Sequence, residues 1–114
     1  MNLTIEELDN GVRCLALAGR LDLAGTAKVD LKFSSHAAAA KALILVDLSG
    51  LEFLASLGIR TFLTVVKAQQ RRGGRVVFCG AQPAVAKVFE TSGLAAVMPM
   101  APDRASGIAH LLAP

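Results

Sequence analysis

An unbroken apolar run, Ala42–Val46, constrains the fold of this chain more than any other feature. It is far too short to span a membrane, and the residues that bound it are Asp47, Ser49 and Gly50. Such a run is typical of a strand buried on both faces, in a parallel or mixed sheet covered by helices. We expect a turn at Ser49-Gly50, followed by a second short apolar piece, Leu51–Leu54.

The residues after this piece predict an amphipathic helix that begins near Ser56. Apolar side chains recur there at three- and four-residue spacing, at Ile59, Phe62, Leu63, Val66 and Ala68. Ser56 is predicted at or next to the N-cap, where a hydroxyl can accept a hydrogen bond from a free N–H group of the first turn. The same position tolerates a phosphate, because the free N–H groups and the helix dipole favour negative charge.

The other segments predict a hairpin and then alternating helices and strands. Asn10-Gly11 predicts a hairpin turn, since both central residues of such a turn can adopt positive φ. The predicted apolar face of the first helix includes Ala24, Ala27, Val29, Leu31 and Phe33, and residues 34–36 interrupt the helix. The predicted segments are strands at Leu3–Leu8, Val12–Ala18, Arg75–Gly80 and Leu94–Met100, and helices at about Leu23–Ala40, Ser56–Arg72, Pro83–Ser92 and from Pro102 onward.

This order predicts one α/β domain over residues 1–114. We expect a mixed sheet of about five strands, an N-terminal hairpin followed by βα units, packed with about four helices. With 54% hydrophobic residues the chain can form a sizeable core. The N-terminus carries neither an apolar segment nor a basic one, so we predict a cytoplasmic protein without a signal peptide or direct membrane insertion.

Several classes of function find no support in the residues. No nucleophile and base pair, phosphate-binding glycine loop or set of metal ligands is recognisable, so we expect neither an enzyme nor a cofactor. Cys14 and Cys79 fall inside predicted strands and are interpreted as buried thiols. The net charge of +3 and the absence of Trp and Tyr argue against nucleic-acid binding.

The motif Asp47–Ile59 resembles the signature of STAS domains, a family named for sulphate transporters and anti-sigma factor antagonists. There an apolar strand ends in Asp-Leu-Ser and leads to Asp-Ser-Ser/Thr-Gly-Leu at a helix start. The family's Gly-Glu-Leu/Ile-Asp motif is similar to Gly19–Asp22, and the segments 72–74 and 90–94 also fit. The resemblance covers essentially the whole chain and implies a STAS-like fold.

The resemblance implies that the protein is an anti-sigma factor antagonist. Such a protein binds an anti-sigma factor that is also a serine kinase of the GHKL type, is switched off by phosphorylation, and is restored by a phosphatase. By position, Ser56 is the implied phosphoacceptor. The implied partner-binding residues are Asp22, Ser49, Phe53, Leu54, Ala55, Ser56, Leu57, Gly58 and Arg60.

Two residues depart from the motif and leave alternatives open. Ala55 replaces the aspartate before the serine, and Leu57 replaces the Ser or Thr after it. One alternative gives Ser56 only the role of a helix cap. A second makes the chain a STAS subunit docked on an ABC-type lipid transport ATPase, without phosphorylation. A third is a small-ligand sensing module with a pocket formed by the loops before Ser49 and Ser56.

Overall fold

The computed structural model describes all of residues 1–114 and contains a five-stranded mixed sheet with four α-helices. The α/β architecture predicted from the sequence is confirmed. No helix has both the length and the apolar character needed to cross a membrane. The elements are β1 Asn2–Glu7, β2 Val12–Leu21, α1 Leu23–Ala38, β3 Leu43–Leu54, α2 Ser56–Arg72, β4 Arg75–Cys79, α3 Pro83–Thr91, a 3₁₀ turn Leu94–Ala96, β5 Met100–Ala101 and α4 Arg104–Leu112.

The strands follow one another across the sheet in chain order, from β1 to β5. β1 is antiparallel to β2, and all other neighbouring pairs are parallel. Because parallel strands have their carboxyl ends at one edge of the sheet, β2 and β3 end together, with Leu21 opposite Leu54. α1 and α2 therefore both start from the same edge.

The core is divided between the two faces of the sheet. Neighbouring residues of β3 alternate, so that Ile44 and Val46 pack in the larger cluster while Leu45 packs in the smaller one. The larger cluster receives apolar residues of α1, α2 and α3, and Phe62 lies at its centre, 5.0 Å from Phe78 between ring centres. The smaller cluster is covered by Leu111 of α4. The prediction that this strand is buried on both faces is confirmed.

Two predicted breaks do not occur. β3 continues through Ser49-Gly50 to Leu54, because its pairing with β2 extends to the end of both strands. The register of this pairing shifts at two places in β2, between Ala16 and Ala18 and between Gly19 and Arg20. α1 is continuous through residues 34–36, where Ser35 Oγ donates a hydrogen bond to the carbonyl of Lys32 and His36 Nδ1 contacts the same oxygen. Polar side chains that predicted a break are thus satisfied on the helix itself.

The predicted N-terminal hairpin is confirmed, whereas the prediction of the last strand was largely wrong. In the β1–β2 turn only Gly11 has positive φ, at 83°, and the Gly11 N–H donates to the Leu8 carbonyl. The segment predicted as a strand, Leu94–Met100, begins with a 3₁₀ turn, and β5 is only two residues long. β5 pairs only with Phe78 and Cys79 of β4, because the 3₁₀ turn and Pro99, which has no N–H to donate, come before it in the chain.

Candidate functional site

The candidate site lies at the sheet edge where β2 and β3 end. The N–H of Ala55 donates a hydrogen bond to the carbonyl of Leu21 over 3.0 Å, so the chain enters α2 tied to β2. Gly58 is buried in the first turn of α2, and a Cβ there would lie 2.9 Å from Leu54 Cδ1. The absence of a side chain at Gly58 therefore allows the first turn of α2 to pack closely against the ends of β2 and β3.

Ser56 is the first residue of α2 and is exposed, and Ala55 is the N-cap. The Ile59 N–H donates to the carbonyl of Ala55, so the hydrogen bonds within the helix begin there. No side chain accepts a hydrogen bond from the first turn. The interpretation of Ser56 as a capping residue is therefore wrong, because Ala55 occupies the N-cap position from which a side chain would accept these hydrogen bonds. The N–H groups of this turn favour a negatively charged group beside them.

Asp22 holds the start of the neighbouring helix. Its Oδ1 accepts a hydrogen bond of 2.8 Å from the Gly25 N–H, which caps α1. A Cβ on Gly25 would lie 2.0 Å from the carbonyl oxygen of Arg20, so the tight entry into this helix requires glycine. The Asp22 carboxylate is half-buried, and its Oδ2 lies 3.9 Å from Arg20 Nε.

An aromatic side chain is exposed three residues before Ser56 in the chain. Phe53 has 38% of its surface accessible, and the guanidinium carbon of Arg20 lies 4.4 Å from its ring centre. A cation in this position attracts the face of the ring and restrains the side chain. Arg20 was not among the residues predicted at the partner surface. The available signal was its alternation with the buried Leu21, which directs it away from the core.

The structure divides the nine residues expected at the partner surface into three groups. Leu54 and Gly58 are buried in the free chain, so they support the surface from beneath, and their contact with a partner stays a prediction. Ser49 is exposed but separate: the Gln82 side chain donates to its carbonyl, and it precedes Leu54 by five residues, about 16 Å along a strand. Those that remain together at the sheet edge are Asp22, Phe53, Ala55, Ser56, Leu57 and Arg60.

A second polar cluster surrounds Asp47, a buried carboxylate in the middle of β3. Arg104 Nε donates to its Oδ2 over 2.7 Å, and the Ser49 N–H donates to its Oδ1 over 2.9 Å. Burial acts to raise the pKa of Asp47, but these hydrogen bonds outweigh it, so the pKa lies below its usual value. Arg104 also lies 3.6 Å from Glu6. This cluster joins α4 to β3 and β1, away from Ser56.

The two cysteine thiols near this cluster are protonated and therefore weak nucleophiles. Burial raises the pKa of the Cys79 thiol to about 12, and burial also raises that of Cys14. Both cysteines are free and lie under α4, so neither is a thiolate at neutral pH. No group of three or more His, Cys, Asp or Glu side chains is arranged to hold a metal ion.

Comparison with known proteins gives consistent matches. A family model described as "Mlab, STAS domain" matches residues 6–100. Two relatives are each 28% identical: a putative anti-sigma factor antagonist, BtrV, of Bordetella bronchiseptica, over 96% of this chain and 93% of that protein, and an anti-sigma F factor antagonist of Paenibacillus polymyxa, over 97% of both chains.

The fold is also that of solved structures. The anti-sigma factor antagonist SpoIIAA in its unphosphorylated form aligns with a TM-score of 0.77 at 24% identity, covering 96% of this chain and 95% of that chain. The Bacillus protein SpoIIAA in its phosphorylated form aligns with a TM-score of 0.67 at 25% identity, covering 88% of this chain and 91% of that chain.

Proposed function

Since the chain belongs to the STAS domain family, we propose that it is an anti-sigma factor antagonist controlled by phosphorylation of Ser56. The unphosphorylated protein binds an anti-sigma factor in the cytoplasm, and phosphorylation ends that binding. The partner is a serine kinase of the GHKL type, and a phosphatase restores the active form. The role is regulatory and not enzymatic. The names of two relatives that span nearly the whole chain support this proposal.

The exposed position of Ser56 at the uncapped start of α2 carries the proposal. The hydroxyl accepts no hydrogen bond from the helix, so a kinase can use it without disrupting the fold. In the reaction the Ser56 oxygen forms a bond to the γ-phosphorus of ATP, the bond to the β–γ bridging oxygen breaks, and the hydroxyl proton leaves to a base. ADP is the leaving group.

The surroundings of Ser56 explain how one phosphate would switch binding. The partly exposed Leu57 and Phe53 flank the serine and offer apolar area to a partner. A partner that covers Ser56 must remove its side chain from water. This desolvation costs little free energy for a hydroxyl, but several kcal/mol for a phosphate near-dianion that is left unpaired. In the free protein the N–H groups of the first turn accommodate the phosphate. Phosphorylation therefore weakens the complex while the domain stays folded.

The test is the intact mass of the protein expressed in its native host under several growth conditions. We expect a species heavier by one phosphate in the wild type and in Ser49→Ala, a matched exposed serine, and none in Ser56→Ala. In a binding assay Ser56→Asp should weaken partner binding and Ser56→Ala should keep it. A single unmodified mass under every condition, or equal affinities of the two Ser56 variants, would refute the proposal.

A second candidate function is a STAS subunit docked on an ABC-type lipid transport ATPase. The observation that favours it is Ala55, which stands where the motif of phosphorylated members has an aspartate. In this case the domain co-purifies with an ATPase, stays unphosphorylated, and binds equally well with Ala or Asp at position 56. The mass and binding measurements therefore separate the two functions.

A further inference from the structure

The outer face of α1 carries an apolar stripe that packs against nothing in the chain. Leu31 and Leu23 are 84% and 73% exposed, more than any other large apolar side chain. Ala27 is exposed between them. Residues at i, i+4 and i+8 lie along one side of a helix, so these three form one line, here named the α1 stripe. Ala27 and Leu31 were predicted on one apolar face with Val29 and Phe33, and that prediction was wrong, because the first two are exposed and the last two are buried.

The stripe has no part in holding the domain together. The opposite side of α1 supplies the core with Val29, Phe33 and Ala37, each less than a tenth exposed. Single exposed apolar residues are ordinary on protein surfaces, but an aligned set next to a functional surface indicates an interaction site.

We propose, on the basis of the function proposed above, that the α1 stripe is the second half of the partner surface. One protein partner covers Ser56 and the stripe together, and it presents an apolar ridge flanked by carboxylates. The ridge would cross α1 at the small Ala27 and pack between the side chains of Leu23 and Leu31. This assigns a binding role to α1, outside the residues of the Asp47–Ile59 motif.

The stripe is continuous with the surface around Ser56. α1 and α2 begin at the same sheet edge, where β2 and β3 end opposite one another. The hydroxyl of Thr61 in α2 donates a hydrogen bond of 3.0 Å to the carboxylate of Asp30 in α1, so the helices lie side by side. The first residue of α1, Leu23, is already part of the stripe. A partner seated on Ser56 therefore reaches the stripe without any rearrangement of the domain.

The charges beside the stripe define the chemistry of the partner. Lys28 and Lys32 are exposed on α1, and the only acidic residue within this helix is Asp30. Asp30 already accepts hydrogen bonds from Thr61 and Ser34. Neither Lys28 nor Lys32 forms an ion pair within the chain, so an acidic rim on the partner would be complementary.

The decisive experiment places a photo-activated crosslinking residue at position 53, 31 or 87 of the full chain in the native host. Lys87 is exposed on α3 and serves as the control. We expect the same protein, identified by mass spectrometry, to be captured from positions 53 and 31 and not from position 87. Capture from 53 without capture from 31 overturns this inference and leaves the proposed function standing. Absence of a protein product from both positions overturns both.

Other products at position 31 would also overturn the inference and name a different occupant. A crosslink between two copies of this chain would make the stripe a dimer interface, and a crosslink to lipid would make it a membrane contact. Each of these outcomes is distinguishable by the mass of the product.

Matched variants then measure the contribution of the stripe with the purified protein captured at position 53. We expect Leu31→Ser to raise the Kd about tenfold or more, while Leu112→Ser, at an exposed apolar residue of α4, leaves it unchanged. The double variant Lys28→Glu/Lys32→Glu should slow association most at low salt, and Lys67→Glu in α2 should do so less. An unchanged Kd for Leu31→Ser would refute the inference, and an unchanged thermal midpoint confirms that the variant is folded.

Discussion

The guanidinium of Arg20 lies over the ring of Phe53, with 4.4 Å between its central carbon and the ring centre. The two residues are also opposite one another in the parallel pairing of β2 with β3. The strand register therefore brings a cation to the one large apolar side chain of the motif that remains exposed. This arrangement restrains the Phe53 side chain and reduces the entropy lost when a partner covers it.

Removing the aromatic ring should weaken partner binding far more than it weakens the fold. We expect Phe53→Ala to raise the Kd for the anti-sigma factor at least tenfold, because exposed aromatic anchors dominate interface energies. The free energy of unfolding should fall by about 1 kcal/mol, for loss of the partial burial and of the contact with Arg20. Calorimetric titration and urea unfolding measure the two effects.

The matched control for this prediction is Arg20→Gln, which keeps the ring and removes the cation. We expect it to lower the affinity by a smaller factor, because Phe53 is then less restrained but still present. Equal Kd values for Phe53→Ala and the wild type would contradict the assignment of this ring to the binding surface.

The free hydroxyl of Ser56 predicts that its removal is nearly neutral for stability. The N-cap of α2 is Ala55, and no side chain, that of Ser56 included, caps this helix. We therefore expect the free energy of unfolding of Ser56→Ala to lie within about 0.5 kcal/mol of the wild type. A capping serine would cost about 1 kcal/mol on the same substitution. Urea unfolding of the unphosphorylated protein distinguishes these two expected losses of stability. A loss of about 1 kcal/mol would indicate that Ser56 caps α2.

The elements of this fold follow from local patterns in the sequence, but their limits depend on neighbours. The apolar run Ala42–Val46 correctly predicted a doubly buried strand, since alternate residues meet helices on both faces. Ser49-Gly50 has the chemistry of a turn, yet the ladder with β2 holds it extended. Conversely, the apolar segment Leu94–Met100 forms a 3₁₀ turn at its start and leads to a strand of only two residues, since Pro99 has no N–H for the ladder with β4.

The candidate site was predictable only where its parts are adjacent in sequence. The place of Ser56 at the start of a helix follows from the spacing of apolar residues after it. The contact between Arg20 and Phe53 depends on strand register, which no local pattern states. The exposure of Leu31 depends on which side of α1 the sheet covers, and the apolar residues of this helix lie on both sides.

Restoring a side-chain cap to α2 should stabilise the protein. Ala55 has the extended backbone of an N-cap, with φ −97° and ψ 170°, but no oxygen to accept a hydrogen bond. In Ala55→Asp the new carboxylate can accept from the first turn and oppose the helix dipole, so we expect a gain of about 1 kcal/mol in the free energy of unfolding. The urea midpoint measures it.

The neutral variant Ala55→Asn separates the hydrogen bond from the charge, and we expect it to retain most of the gain. In the background of Ser56→Asp, the gain from Ala55→Asp should shrink, because two adjacent carboxylates then repel one another. If both substitutions at position 55 lowered stability, the uncapped start of α2 would have a different cause.

The hydrogen-bonded carboxylate of Asp47 predicts how stability depends on acid. Burial acts to raise its pKa, but hydrogen bonds from Ser49 and Arg104 outweigh burial and hold the pKa below its usual value. The folded protein thus takes up this proton less readily than the unfolded chain. The stabilisation is complete above the unfolded pKa, about 4, and disappears as the pH falls through the folded pKa.

We expect Asp47→Asn to be less stable at neutral pH and to lose less stability than the wild type on acidification below about pH 4. Parallel pH profiles for the two proteins, from urea unfolding, would contradict this role.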